Sequence, residues 1–138
     1  MIMLLPVRVA GVLLLALALL NVFVPKRFGW KEELAKVSLL NRQIFQVHAF
    51  FIVLTLVMMG VLSLFFAPAL LSPSPLSRLV LGGLALFWLV RLIIQWCVYD
   101  SSLWHRNPFN TFMHFAFTLL WIIFIAVYGT ALWLQLYP

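Results

Sequence analysis

Residues 44–66 read IFQVHAFFIVLTLVMMGVLSLFF, an apolar run interrupted near its start by Gln46 and His48. As a helix rising about 1.5 Å per residue, such a run is roughly 34 Å long against a hydrocarbon core of about 30 Å. Its Val, Ile, Leu, Met and Phe side chains fall on every side of the helix rather than on one stripe. A helix that is apolar all round belongs in lipid or in the core of a large protein. A chain of 138 residues has no such core, so the expected fold is all-α and membrane-integral.

Outward from this run the pattern repeats. Residues 7–24 form an earlier apolar stretch, followed by Pro25 and the basic pair Lys26 and Arg27. A cleavable signal carries its charge before the apolar core and small residues at the cut; here the charge follows and no A-x-A appears, so the stretch reads as a retained span. Residues 79–98 form the third span. The fourth starts on helix-entry chemistry, Asn107 as cap and Pro108 at the first helical position, and runs to about residue 136. Residues 67–77, with Pro68, Pro73 and Pro75, read as a short external loop. Between the first two spans, Trp30, Leu34, Val37, Leu40 and Ile44 recur at helical spacing, with Lys31, Glu32, Glu33 and Lys36 away from them. Residues 30–43 therefore read as a short amphipathic helix lying on the membrane surface. The expected architecture is a single membrane domain over 1–138, a bundle of four transmembrane helices with an interfacial helix between the first and second.

Composition points the same way. With 66% hydrophobic and 9% charged residues, the chain cannot hide its apolar surface from water. A net charge of +6 would indicate nucleic acid in a soluble protein. Here the basic residues flank spans, and the partners are the lipid bilayer and its anionic headgroups, with no nucleic acid. The single cysteine, Cys97, excludes an intramolecular disulfide and matches no zinc or redox spacing. Lys26, Arg27, Lys31, Lys36 and Arg42 fall in the first connection and Arg106 in the third, with only Arg8 and Arg78 on the opposite side. Positive residues are retained in the cytoplasm, so both termini are expected outside, in a bacterial inner membrane. Trp30 and Trp104 on one side, and Trp133 and Tyr137 on the other, suit interfacial belts.

Three residues stand out because lipid penalises them: His48, Arg91 and His114, each inside a different span. Counted from the cytoplasmic helix ends, all three lie six or seven residues in, on the order of 10 Å below the interface. Projection at about 100° per residue places Asn41, His48, Thr55 and Met59 on one stripe, Trp88, Arg91, Gln95 and Val98 on a second, and Asn110, His114, Thr118, Trp121 and Tyr128 on a third. Turning these stripes inward would form a pocket of His48, Arg91, His114, Gln95, Asn41 and Asn110. Each member also has a structural role open to it: a histidine that bonds a neighbouring helix or carbonyl, an arginine that snorkels to the interface.

Several functions use these residues. Foremost is a structural or accessory subunit of a larger membrane complex, suited to a small chain that offers apolar surface to other membrane-protein subunits. Another is a b-type haem or related tetrapyrrole ligated by His48 and His114 with Arg91 near its propionates, although neither histidine has a glycine one turn away to admit the ring. A third is a quinone or anionic lipid entering from the inner leaflet, with Phe45, Trp88 and Trp121 along its apolar part. A mononuclear metal lacks ligands, and transport lacks broken spans or an inverted repeat. Catalysis has the least support, since no nucleophile–base set, intramembrane carboxylate pair or phosphate loop is present. The Asp100, His105 and Arg106 group in the last connection offers acid–base groups, but such a turn is ordinarily just solvated.

Overall fold

Helix punctuation in the sequence sets the elements of the computed structural model, which describes residues 2–27, 29–98 and 107–138. In chain order they are α1 (Leu4–Arg27), α2 (Trp30–Leu34), α3 (Leu39–Phe65), α4 (Ala67–Leu71), α5 (Pro75–Cys97) and α6 (Pro108–Leu136). The described residues contain no strand. Four of the helices, α1, α3, α5 and α6, are long and apolar enough to cross a membrane.

The ends follow local chemistry. Asn107 caps α6 by accepting from the Phe109 amide at 3.0 Å, with Pro108 in the first turn, where its missing N–H goes unmissed. α5 opens on a capping box: Ser74 and Ser77 each accept the other's backbone N–H at 3.0 Å. This box starts α5 at Pro75, four residues before the start of the apolar run. Residues 67–71, expected in a loop, form the one-turn helix α4, because Pro68 sits at a position that needs no amide donor. α1 likewise continues through Pro25 to Arg27; the proline falls in the last turn, and Lys26 and Arg27 face the negative end of the helix dipole.

The segment expected as one surface helix over residues 30–43 is divided. α2 is five residues long, and α3 begins at Leu39, where the Ser38 side chain accepts from the Asn41 amide at 3.3 Å. Ser38 is a strong N-cap six residues before the apolar run, so residues 39–43 join α3. Gly29 precedes α2 with φ of 65°, a left-handed conformation that favours glycine. The Arg42 Nε donates to the Leu34 carbonyl at 3.1 Å, and Trp30 meets Phe45 edge to face.

The chain divides into two units, Arg8–Ala67 and Met1–Val7 with Pro68–Pro138. In the first, α1 buries Ala10, Gly11, Leu14, Leu17 and Ala18, while α3 buries Leu56, Gly60 and Ser63. Of the small residues of α1, Ala10, Gly11 and Ala18 are buried and Ala16 is exposed. The backbones meet at two glycines. A Cβ on Gly11 would lie 2.6 Å from the Leu64 backbone nitrogen and 3.0 Å from the Gly60 carbonyl oxygen; one on Gly60 would lie 2.7 Å from Leu15 Cγ. Where lipid is as apolar as leucine, this kind of small-residue approach holds helices together through dispersion.

In the second unit α5 and α6 run antiparallel, since Gln95 meets His114, Trp88 meets Trp121, and Ser77 meets Gln135. A polar knot closes the end near α4. Gln135 Nε2 donates to the Leu70 carbonyl at 3.0 Å, and the single hydroxyl proton of Ser77 is within reach of the Ser72 carbonyl (2.7 Å) and Gln135 Oε1 (2.9 Å). Arg78 donates to the Gln135 carbonyl at 3.1 Å. Gln135→Leu is expected to strip α4 from α6 and lower stability by about 1–2 kcal/mol, since it leaves buried polar partners unmet. Faster limited proteolysis within residues 67–74 would report it, and an unchanged digestion rate would refute it.

Candidate functional site

The polar residues of α5 and α6 converge around Gln95. Gln95 is buried (6% exposed), and its Nε2 donates to the His114 carbonyl at 2.8 Å and to Thr118 Oγ1 at 3.1 Å, with His114 Nδ1 at 3.3 Å. Its Oε1 accepts from Trp121 Nε1 at 2.7 Å. An indole nitrogen only donates, so the Trp121 contact fixes which end of the amide faces which partner. Thr118 Oγ1 donates to the His114 carbonyl at 2.8 Å and accepts from Trp96 Nε1 at 3.0 Å.

Aromatic rings enclose this network. The Trp96 ring lies 4.5 Å from the His114 ring centroid to centroid, and Phe115 lies 5.5 Å from it, leaving His114 5% exposed. One step deeper, Trp88 stacks on Trp121 at 4.9 Å and 19°, and Phe124 leans on Trp88 at 4.8 Å. Trp88 Nε1 is buried with no hydrogen-bond partner among the described residues, a cost that stacking against Trp121 and Phe124 offsets. The Arg91 guanidinium lies over the Trp121 ring, 5.8 Å from its centroid, close enough for cation–π attraction.

Thus Arg91, Gln95 and His114 gather with Thr118, Trp88 and Trp121 at one seam of the α5–α6 unit. Asn110 stands half-buried in the first turn of α6. His48 and Asn41 belong to the other unit, on α3, and both are exposed. His48 Nδ1 donates to the Ile44 carbonyl at 2.9 Å, one turn back on its own helix, and Thr55 does the same with Phe51 at 2.7 Å. A helix can satisfy a polar side chain from its own backbone, so a polar stripe need not mark a packed face. Asp100, Trp104, His105 and Arg106 lie outside the described residues. Among the described residues no three His, Cys, Asp or Glu side chains gather to hold a metal ion.

No protein-family model, curated protein or solved structure matches the chain. The chemistry of the site therefore rests on its own geometry. A haem edge or a quinone ring at His114 would have to enter between Trp96, Phe115 and Gln95, where the imidazole is already enclosed. What the arrangement does directly is join two helices: one amide bonds three groups on the facing helix in a medium that offers no competing water. Sequence reasoning singled out Gln95, His114 and Arg91. It passed over Ser77 and Gln135 as a pair, although a Ser-x-x-Ser start and a lone glutamine inside an apolar run are the residue types such a knot needs.

Proposed function

We propose that this protein is a structural or accessory subunit of a larger membrane assembly, built as a bundle of four transmembrane helices with α2 at the cytoplasmic surface. The observation that supports this most is the closed Gln95 network: Gln95, Thr118, Trp96, Trp121 and the His114 carbonyl are spent on each other, which suits a scaffold better than an open ligand site. Exposed apolar side chains agree with it. Phe50, Phe51, Ile52, Leu86, Phe112, Phe115 and Leu119 all present large surface outward, which lipid or neighbouring subunits would cover. The basic residues around α2 support an N-out, C-out orientation in a bacterial inner membrane, with anionic headgroups against Lys31 and Lys36.

The test is extraction of the full chain from its native membrane in mild detergent, followed by native mass spectrometry and a visible spectrum. The expected result is a colourless assembly with other membrane chains in fixed stoichiometry. A chain recovered alone from gently solubilised membranes would overturn the subunit reading. A Soret band that disappears in both His48→Ala and His114→Ala would replace it with bis-histidine haem ligation.

A further inference from the structure

Arg91 is the one charged residue within the membrane-length part of α5 that is remote from both helix ends, and no described residue neutralises it. Among the described residues its guanidinium makes no hydrogen bond and no ion pair; its one interaction is the face of Trp121. Five N–H donors in a low-dielectric layer want an acceptor, preferably an anion that matches the planar fork. Of the chain's three acidic residues, the two that are described, Glu32 and Glu33, lie in α2 and not in a membrane-length helix. The described residues of a second copy therefore bring no intramembrane carboxylate either.

The surface beside Arg91 has the pattern of a helix-packing face. Gly83, Leu86, Phe87, Val90, Arg91 and Ile94 line one groove along α5, at positions i, i+3, i+4, i+7, i+8 and i+11. This is the spacing with which one helix buries a stripe against another. The stripe is apolar apart from the single cation, and a Cβ on Gly83 would meet nothing within 4 Å, so a backbone has room to approach there.

Depth decides what supplies the anion. Arg91 stands six residues before Cys97, the last of α5, or about 9 Å along the axis. Helical side chains lean towards the N-terminus of their helix, which for α5 is away from that nearer end. The contact with Trp121, itself stacked on Trp88, keeps the guanidinium at this depth rather than extended to the interface. A headgroup phosphate sits at the interface, and its acyl chains carry no charge. A carboxylate on a spanning helix is delivered at depth.

We propose that the Gly83–Ile94 face of α5 docks a transmembrane helix of another protein that carries an Asp or Glu side chain opposite Arg91. The proposal rests on the subunit reading and names the chemistry of the partner. The pair would exchange the guanidinium's cation–π contact alone for a charge-assisted, bidentate bond in lipid.

The test uses the full chain in phosphatidylcholine vesicles, labelled at Cys97, the chain's single cysteine, which is free and exposed at the end of α5. The probe is an oligoleucine transmembrane peptide bearing an energy-transfer acceptor and one Asp set about 9 Å from one end; the matching peptides carry Asn or Leu. The Asp peptide is expected to associate about tenfold more tightly than the Leu peptide. Arg91→Gln should abolish the difference, Arg91→Lys should keep part of it, and Arg91→Asp should prefer a Lys-bearing peptide. Circular dichroism on each variant establishes that its helices are intact.

Equal binding of the Asp and Leu peptides, or an Asp preference that survives Arg91→Gln, overturns the proposal. So does displacement of the Asp peptide by phosphatidylglycerol together with retention of that lipid in native mass spectra of the wild type and its loss in Arg91→Gln; that outcome assigns Arg91 to a headgroup. A fixed-stoichiometry assembly from native membranes in which the peptide shows no Asp preference removes this docking face and leaves the subunit reading intact. Absence of any native assembly removes the subunit reading whatever the peptide does.

Discussion

Gln95→Leu is expected to loosen the α5–α6 pair by about 2 kcal/mol, since a buried donor left without its acceptor costs about 1–3 kcal/mol and hydrogen bonds between membrane helices average about 0.6 kcal/mol. The substitution leaves the Trp121 indole N–H without the Gln95 oxygen and removes the donations to the His114 carbonyl and to Thr118. Because Trp121, which donates to Gln95, stacks on Trp88, tryptophan fluorescence during titration with a denaturing detergent reports the opening directly. Gln95→Glu separates the two halves of the amide. It keeps an acceptor for Trp121 but, when ionised, cannot donate to His114 or Thr118, so it should recover only part of the loss. Thr118→Val removes a single peripheral partner and should cost less than 1 kcal/mol, on the order of one membrane hydrogen bond. A Gln95→Leu protein that unfolds at the wild-type detergent concentration would show that the network does not hold the hairpin.

Gly11→Ala is the second large effect, and it acts through geometry alone. The added methyl would meet the Leu64 backbone nitrogen at 2.6 Å and the Gly60 carbonyl oxygen at 3.0 Å, groups that cannot swing aside as a side chain can. α1 and α3 must therefore separate, at about 1–3 kcal/mol, the usual cost of overpacking a close contact. Gly83→Ala is the control. Its Cβ meets nothing, and alanine is the better helix former, so thermal stability of the purified chain should hold or rise slightly. Equal melting temperatures for the Gly11 and Gly83 variants would mean that the α1–α3 approach is not made.

The two stripes read from α5 and α6 have counterparts in the structure. Trp88 and Gln95 are buried on one helix, and His114, Trp121 and Tyr128 on the other, with Arg91, Asn110 and Thr118 half-buried between them. These stripes were legible because polar and bulky aromatic side chains recur there at helical spacing against Leu, Val, Ile and Phe. The same reasoning applied to α3 selected Asn41, His48, Thr55 and Met59, whereas the helix buries Leu56, Gly60 and Ser63. His48 and Thr55 satisfy themselves on carbonyls one turn back, so their polarity imposes no packing direction. The glycine pair that brings α1 and α3 together leaves almost no mark in a hydropathy pattern; the first span looks uniform because Gly11 differs from its neighbours in size, not polarity.

By itself the amino-acid sequence determined the helical class, the number of membrane-length helices and the start of α6 at Pro108, because length, hydropathy and a capping residue such as Asn107 act within a few residues of chain. It also picked out Arg91, Gln95 and His114, since a polar group in lipid is costly wherever it points. Only the tertiary structure decided that Gln95 is consumed by His114, Thr118 and Trp121 while Arg91 meets no hydrogen-bond partner among the described residues, and that Gly11 rather than Ala16 makes the close approach of α1. Those outcomes depend on which helix faces are brought within hydrogen-bonding or van der Waals distance, and in a medium as apolar as the side chains themselves hydrophobicity does not choose among faces.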